Sequence, residues 1–283
     1  VGDDARAAAA PGPPPGPDRL DKAGPAAHNP ASMPGRSQKE PQARKGGEEG
    51  RAAPAGRDLA APLRDWWRRL RFPGSGSYWE RRYRDGDTSG AGSYGELAEF
   101  KAEVLNAFVR EHGVRSVIEF GCGDGAQLAL AAYPDYAGLD VSAAAVERCR
   151  RRFAEDPAKR FFVYTPGYPA DLIPYVPRAD LALSIDVVYH LVEEAVYERH
   201  LRDLFAAGER FVIVYSSDFD REEPAAPHVR HRAFTGFVAR ALPEWTLLRR
   251  IPNRHPCDER DGSGSLADFF LFERAAGGTT EDR

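Results

Sequence analysis

Apolar residues recur every three or four positions from residue 96 to residue 112 of the chain. This spacing puts them on one face of an α-helix, so the segment is predicted to be an amphipathic helix. Gly113 follows directly and is a natural stop, because glycine adopts the left-handed backbone that commonly closes a helix. The apolar face consists of Leu97, Phe100, Val104, Leu105, Phe108 and Val109.

Beyond Gly113 the pattern changes to short apolar runs that alternate with helix-like segments. Strands are predicted near residues 115–120, 135–140, 160–164, 180–185 and 210–216. Helices are predicted near residues 125–133, 143–154 and 192–206, and two more strand-like runs follow at 245–251 and 266–272. Alternation of this kind predicts a parallel sheet with helices on both faces.

The first part of the chain lacks any such pattern. Residues 1–61 are dominated by Ala, Pro, Gly and charged residues, without an aromatic side chain. They bury too little apolar surface to offset the cost of ordering, so we predict a disordered tail. Residues 62–77 are predicted to form an amphipathic linker or helix, whose two tryptophans either lie on a membrane surface or pack on the domain. A folded domain is predicted at 78–274 and a flexible C-terminus at 275–283.

Composition narrows the range of functions. The formal net charge is −4, and nothing indicates a basic surface made for nucleic acid. Three cysteines are too few and too scattered for a disulfide framework, which favours a reducing cytoplasm. The sequence contains neither a run of membrane-spanning length nor the apolar core of a signal peptide. We therefore expect a cytoplasmic protein with no nucleic-acid partner and no transmembrane segment.

The most informative segment is the turn after the first predicted strand. Glu119 lies at the end of an apolar run, and Gly121, Gly123 and Gly125 follow it. Because glycines have no side chains, the backbone of this turn is uncovered and a nucleotide-like ligand can come close to the main chain. Asp140 closes the next apolar run about twenty residues later, where an acid can grip ribose hydroxyls.

The glycines alone leave the ligand open, because Gly121, Gly123 and Ala126 also fit the dinucleotide fingerprint. Glu119 favours a different ligand, since a carboxylate beside the turn suits an ammonium group better than a pyrophosphate. A long amphipathic helix also precedes the strand, whereas dinucleotide domains commonly open on the strand itself. A nicotinamide-dependent oxidoreductase and a non-catalytic module with the same fold remain as alternatives.

Three segments, 119–125, 138–142 and 180–191, together carry a family resemblance. The chain resembles the class I S-adenosylmethionine-dependent methyltransferases in their small single-domain bacterial form, and the likeness spans residues 78–274. It implies an α/β, Rossmann-like, doubly wound sheet of seven mostly parallel strands with an antiparallel edge strand. It also implies S-adenosylmethionine as the cofactor.

The resemblance also implies roles for individual residues. The first acid and the glycines hold the methionine part of the cofactor, Asp140 holds the ribose, and Asp186 lies beside the transferable methyl group. Cys122 is expected to be a small filler next to the cofactor. In one departure from the family, Thr165, Pro166 and Gly167 stand where an acid is often found near the adenine amine. The expected cofactor contacts are Glu119, Gly121, Cys122, Gly123, Gly125, Asp140, Val141 and Asp186.

Methyl transfer to a hydroxyl requires that the hydroxyl lose its proton, and histidine has the ordinary pKa that suits this task. His190 follows Asp186 by four residues, at the predicted start of the next helix. Asp186 and His190 are therefore the predicted catalytic residues. The alternative for His190 is that it caps or packs that helix.

The acceptor is predicted to be a small molecule or a sugar or glycan, methylated at oxygen. His228 and His231 would share a helix face, and adjacent arginines such as Arg230 could pair with a carboxylate or phosphate. The alternative is a solvated basic helix start. Tyr189 completes the predicted acceptor site, and no metal is expected. A glycine-rich loop at 90–95 is either a lid or a flexible connection.

Overall fold

The computed structural model describes residues 71–165, 178–223, 226–258, 260 and 263–275. The predicted tail, the tryptophans of the 62–77 segment, Pro166, Gly167 and the last eight residues of the C-terminus lie outside the described residues. In the described part of the chain, seven strands form the main sheet. They are β1 (Val117–Phe120), β2 (Tyr136–Asp140), β3 (Lys159–Val163), β4 (Ala179–Ile185), β5 (Gly208–Ser216), β8 (Trp245–Ile251) and β9 (Asp268–Arg274).

The strand order of the sheet is β3-β2-β1-β4-β5-β9-β8. Strands β1 to β5 pair in parallel, whereas β9 is antiparallel to both β5 and β8. The order reverses between β1 and β4, and open α/β sheets bind ligands at such a point, outside the carboxyl ends of the strands. The predicted fold class is confirmed. Two short strands, β6 (Arg221–Glu222) and β7 (Arg230–His231), pair separately.

Helices cover both faces of the sheet in the described residues. One core cluster joins the sheet to α2 (Gly95–Glu111) and α3 (Ala143–Arg152), and the other joins it to α4 (Glu194–Ala207) and α5 (Phe234–Ala241). The predicted helices near 96–112, 143–154 and 192–206 are confirmed. Within the described residues, no helix combines the length and the apolar character that crossing a membrane requires.

The helix predicted near 125–133 is wrong, because that stretch contains only a 3-10 turn at Leu128–Leu130. Asn106 of α2 supplies the physical reason. Its amide nitrogen donates to the Leu130 carbonyl at 2.9 Å, and its oxygen accepts from the Ala132 N–H at 2.8 Å. The backbone groups that an α-helix would pair internally are therefore held by a side chain of another helix.

A further helix, α1 (Ser75–Arg84), is anchored to the loops after β4 and β2. At its start, the Ser75 N–H and hydroxyl donate to the Glu193 carboxylate at 2.8 and 2.7 Å. Further along, Glu80 accepts from the Ser142 hydroxyl at 2.6 Å and from the Ala144 N–H at 3.3 Å, which caps α3. Helix α1 thus bridges two strand-end loops and forms a wall of the cavity between them.

Candidate active site

A cavity of about 580 Å³ lies at the carboxyl ends of β1, β2 and β4. Its lining combines strand-end acids with the glycine turn and with α1. The volume falls within the range of about 300–1,000 Å³ that holds small-molecule ligands. The residues that line this cavity include Trp79, Lys101, Glu119, Phe120, Gly121, Cys122, Gly123, Gln127, Asp140, Val141, Tyr164, Thr165, Asp186, Val187, His190, Leu191, Val196 and His200.

Glu119 is buried at the end of β1, and its carboxylate accepts a 2.5 Å hydrogen bond from the Tyr136 hydroxyl. Burial raises the pKa of Glu119 to about 7, because desolvation disfavours the charged form. A cationic ligand group beside this carboxylate would favour ionisation. Glu119 is therefore suited to meet a positive charge.

Asp140 is buried at the end of β2 and holds the glycine turn. Its carboxylate accepts hydrogen bonds from the N–H groups of Gly123 and Ser142, each at 2.9 Å. Burial raises the pKa of Asp140 to about 6, although these two hydrogen bonds act in the opposite direction. Because the Gly123 N–H already has a carboxylate partner, it is not free to bind a phosphate.

The glycine turn packs closely against the loop after β4. At Gly121 the backbone has φ +94°, and a side-chain carbon there would lie 2.3 Å from Val187 Cγ2. Gly121, Cys122 and Gly123 line the cavity. Gly125 is also a predicted cofactor contact, but it packs against Phe153 and so supports the turn.

Asp186 lies just beyond β4 with a left-handed backbone, φ +59°. Its carboxylate forms an ion pair with Lys101 of α2 and accepts a 2.7 Å hydrogen bond from the Tyr189 hydroxyl. The Lys101 side chain is only 1% exposed, and its ammonium also lies 5.2 Å from the ring centre of Tyr215. The structure therefore brings two predicted residues, Asp186 and Tyr189, together with a buried cation.

His190 lines the same cavity beside the Trp79 ring, at a centroid distance of 4.9 Å. Its Nδ1 lies 3.1 Å from the carbonyl oxygen of His228, which can only accept, so Nδ1 carries the proton. Burial lowers the pKa of His190 to about 4. The imidazole is therefore neutral at pH 7 and keeps Nε2 as an acceptor.

His190 does not begin the next helix as predicted. It ends a 3-10 turn, Val188–His190, and α4 starts only at Glu194. Ser75 explains the difference. Its hydroxyl shares one proton between Glu193 and the His190 carbonyl, at 2.7 and 2.8 Å, and accepts from the Val192 N–H at 3.1 Å. A side chain of α1 thus holds the backbone groups that would otherwise extend the helix.

The helix predicted to carry His228 and His231 together is also wrong. Arg230 and His231 form strand β7, so the two histidines lie in different surroundings. His228 stacks on Tyr78 at 4.6 Å and on His190 at 5.5 Å. Buried His231 lies 2.6 Å, Nδ1 to Oγ, from Ser217.

The arginines of this segment hold the loop before α4. Arg230 Nη1 lies 3.4 Å from both the Val192 carbonyl and the Glu194 carboxylate. Arg232 donates to the Leu191 and Val192 carbonyls at 2.6 and 2.7 Å. Neither arginine lines the cavity at the strand ends. Arg230 thus has intramolecular partners, and its role toward an acceptor carboxylate or phosphate stays a prediction.

A second cavity of about 220 Å³ lies beyond Tyr189, at the ends of β5 and β9. Tyr189 belongs to its lining, while its hydroxyl contacts Asp186, which lines the larger cavity. The Asp186–Tyr189 pair therefore lies between the two spaces. The other residues that line the second cavity are Ser217, His231, Cys257, Gly264, Ser265, Leu266 and Ala267.

The sequence analysis did not predict Lys101 and His200 as site residues, although each is a polar residue on the apolar face of a helix. Lys101 is four residues after Leu97 and four before Leu105, so it occupies the apolar face of α2. His200 has the corresponding position in α4, between Tyr197 and Leu204. A polar residue at a buried helical position requires a partner. Lys101 has Asp186, and the His200 ring nitrogen Nε2 lies 2.9 Å from the Ser184 hydroxyl.

The donors and charges of the larger cavity fit S-adenosylmethionine. Four carboxylates line it, against one lysine, in the described residues. This balance suits a ligand with a sulfonium and an ammonium, whereas the two phosphates of a nicotinamide dinucleotide would meet like charge. Gln127 adds a buried Oε1 with no hydrogen-bond partner among the described residues, which an ammonium could satisfy. The carboxylates are Glu80, Glu119, Asp140 and Asp186.

Comparisons with known proteins agree with this site. A family model described as a methyltransferase domain matches residues 93–259, more than half of the chain. The N-methyltransferase NodS from Bradyrhizobium japonicum WM9, solved with S-adenosylhomocysteine, is 13% identical with a TM-score of 0.52. The match covers 72% of this chain and 100% of that chain. A comparison with curated proteins gives no match.

Two other solved structures are similar but less closely superposed. Magnesium protoporphyrin IX methyltransferase from Synechocystis PCC 6803 is 15% identical, with a TM-score of 0.48, over 74% of this chain and 99% of that chain. The methyltransferase domain of bacterial CtHen1-C is 20% identical, with a TM-score of 0.49, and the match covers 62% of this chain and 97% of that chain.

Fold and site together define a class I S-adenosylmethionine-dependent methyltransferase, as the resemblance implied. The chain belongs to the methyltransferase-domain family whose model it matches. Its cofactor is S-adenosylmethionine, and the nicotinamide and non-catalytic alternatives are set aside.

Proposed function

We propose that this methyltransferase acts on a small hydroxylated molecule of sugar-like chemistry and transfers the methyl group to oxygen. The observation that supports this best is His190, a neutral imidazole in the cavity wall with its proton held on Nδ1. A hydroxyl acceptor must lose its proton during transfer. An imidazole with a free Nε2 can receive that proton.

Each end of the cavity has its own role in the proposal. Glu119 and Gln127 would hold the ammonium of the cofactor, and Asp140 would hold its ribose hydroxyls. When bound, the cofactor supplies an electrophilic methyl group on a good leaving group. The protein then contributes chiefly by orienting the acceptor, an effect worth up to about 7–11 kcal/mol in favourable cases.

His190 would act as the base in this scheme. Its Nε2 would take the acceptor O–H proton as the oxygen receives the methyl group, with the thioether of the cofactor as the leaving group. Because burial lowers the pKa of His190 to about 4, the imidazole is unprotonated at neutral pH and can accept a proton, but it is a weak base. Its contribution is therefore placed at the low end for general bases, about a hundredfold.

The reacting hydroxyl of the acceptor would lie beside His190 in the larger cavity, and the rest of the acceptor would extend past Tyr189 into the second cavity. That space is small and presents hydroxyl and imidazole groups, such as Ser217 and His231, which can hydrogen-bond a polyhydroxylated ring. Burial lowers the pKa of His231, so its imidazole is neutral at pH 7. These properties favour an uncharged polar acceptor.

Labelled methyl transfer tests the proposal. The protein is incubated with methyl-tritiated S-adenosylmethionine and, separately, with ultrafiltered metabolites, purified RNA and purified protein from a cell extract. Label is expected in the metabolite pool, and tandem mass spectrometry should place the methyl group on oxygen. Predominant labelling of RNA or protein, or of nitrogen in a metabolite, would overturn the acceptor assignment.

The same assay tests the base. His190→Ala should lower turnover at saturating cofactor about a hundredfold and leave the affinity for S-adenosylhomocysteine close to wild type. His112→Ala is the control, because His112 lies on the surface at the end of α2. Unchanged turnover in His190→Ala would remove this histidine from the mechanism.

A further inference from the structure

One part of the larger cavity is mainly apolar, and we call it the apolar lobe. It is lined by Phe120, Val141, Val187, Leu191 and Val196, together with Tyr164, Thr165 and His200. The Tyr164 hydroxyl already donates to the Asp203 carboxylate at 2.5 Å. Among the described residues, no carboxylate of the cavity lining belongs to this lobe.

His200 is the buried polar group of the apolar lobe. It is 4% exposed and packs edge-on against Phe120 at a centroid distance of 5.8 Å. Its Nε2 lies 2.9 Å from the hydroxyl of Ser184, which is fully buried on β4. Within the described residues, Nδ1 has no hydrogen-bond partner. His200 therefore offers one free ring nitrogen in a cavity that it lines.

The Ser184 hydroxyl decides what that nitrogen can do. If the hydroxyl donates to Nε2, Nδ1 carries a proton and is a donor; if it accepts from Nε2, Nδ1 is an acceptor. Burial lowers the pKa of His200 to about 4, so the ring is neutral in either case. A neutral group costs less to bury here than a carboxylate would.

The position of the lobe identifies its occupant. With the ribose held at Asp140 and the ammonium at Glu119, the base of the cofactor falls on the far side of Asp140. Adenine has two apolar faces and an amino group on its rim, which matches an apolar lobe that offers one free ring nitrogen. Thr165, Pro166 and Gly167 stand where the family resemblance leads one to expect an acid.

We propose that His200 donates from Nε2 to the Ser184 hydroxyl and accepts at Nδ1 a hydrogen bond from the adenine amino group, in place of a carboxylate. The inference rests on S-adenosylmethionine being the cofactor and adds the group that recognises its base. His200 would then be a specificity residue rather than a catalytic one.

Calorimetric binding of two ligands tests this proposal. One ligand is S-adenosylhomocysteine, and the other is its 6-deamino analogue, in which purine replaces adenine. Wild type should prefer the first about three- to tenfold, as expected for one hydrogen bond between neutral groups. His200→Phe keeps the ring packing but loses both nitrogens, and its preference should fall below about twofold.

His112→Phe is the matched control, because it makes the same exchange at an exposed histidine that does not line either cavity. It should keep the wild-type preference. Ser184→Ala is the second variant, and decides the matter if His200→Phe does not fold. It leaves His200 without its orienting partner, so the preference should again be reduced. His200→Gln should restore part of the preference.

Two failures can be told apart. If wild type binds neither ligand, the assignment of the cofactor fails, and this inference fails with it. If wild type binds both equally, or if His200→Phe and Ser184→Ala retain the full preference, only the role of His200 is overturned. The ratio of the two affinities should also stay constant from pH 6 to pH 8, because His200 remains neutral throughout that range.

Discussion

The two halves of the active site are assembled in different ways. On the cofactor side, the polar contacts join residues that are close in sequence: Glu119 to Tyr136 and Gly123 to Asp140 are each 17 residues apart. On the side that we propose faces the acceptor, at the loop after β4, Lys101 and Asp186 are 85 residues apart and Ser75 and Glu193 are 118 apart. The first half is a local motif, and the second half exists only after the tertiary fold has formed.

This difference predicts where the site is most easily broken. The acceptor side depends on a few long-range contacts between buried polar groups, and removal of one partner leaves the other without compensation. The cofactor side depends on backbone conformation and on the ionisation of carboxylates. Three measurements distinguish the long-range polar contacts of the acceptor side from the backbone conformation and carboxylate ionisation of the cofactor side. The largest change in free energy is expected on the acceptor side.

Lys101→Met should give the largest effect. It leaves Asp186 with no cation, and breaking a buried ion pair costs roughly 3–5 kcal/mol. Because the Asp186 side chain is 18% exposed at the cavity, we expect a loss at the lower end, about 3 kcal/mol in the free energy of unfolding. Urea denaturation at neutral pH measures it.

The same helix supplies the control for Lys101. Arg254 pairs with Glu103 of α2 at 2.8 Å, but both side chains are exposed, so Arg254→Met should leave the free energy of unfolding nearly unchanged. The double variant Lys101→Met with Asp186→Asn should recover at least half of the loss. If the double variant is instead as unstable as the sum of the two single changes, the pair is not coupled.

Gly121→Ala should have the next largest effect, because it tests the contact that joins the two halves. The new side-chain carbon would lie 2.3 Å from Val187 Cγ2, at a backbone φ of +94°. We expect a loss of about 2 kcal/mol in the free energy of unfolding, together with weaker binding of S-adenosylhomocysteine. Urea denaturation and calorimetry provide the two readouts.

Gly113→Ala is the matched comparison, since Gly113 has φ +58° with nothing within 4 Å of the added carbon. It carries the backbone penalty alone, about 1 kcal/mol. The double variant Gly121→Ala with Val187→Ala relieves the clash and should recover part of the difference. An equal loss at Gly121 and Gly113 would show that the contact with Val187 is unimportant.

The contrast between the halves also explains what the sequence could predict. The sequence predicts Glu119 and Asp140 as site residues because a strand end, a glycine turn and the next strand end are neighbours along the chain. Lys101 and His200 were missed because their partners, Asp186 and Ser184, belong to other elements of the sheet. Their positions on apolar helix faces signalled burial, but no spacing rule identified the partner.

The wrong helices have the same cause. Residues 126–132 have helical composition, yet Asn106 takes the backbone groups that the helix needed. Ser75 does the same near His190, and the pairing of β6 with β7 separates His228 from His231. In each case a remote residue or strand overrode a local preference. Strands β1, β2 and β4 were predicted well because burial on both faces gives them continuous apolar runs.

The smallest expected effect concerns the cofactor side and follows from the raised pKa values of Glu119 and Asp140, about 7 and about 6. In the proposed binding mode, both groups must be ionised to hold the ammonium and the ribose hydroxyls well. As the pH falls from 7.5 to 6, Glu119 becomes mostly protonated and Asp140 half protonated. The affinity for S-adenosylhomocysteine should therefore fall about tenfold over this interval.

Glu119→Gln separates the two carboxylates in this measurement. The variant cannot ionise at residue 119, so it should bind more weakly at pH 7.5, and its affinity should change by only about twofold between the two pH values. The remaining change belongs to Asp140. Calorimetry at both pH values measures the four affinities. A wild-type affinity that is the same at pH 6 and pH 7.5 would mean that Glu119 does not face the ammonium, and the local motif would then serve the fold of the turn rather than the cofactor.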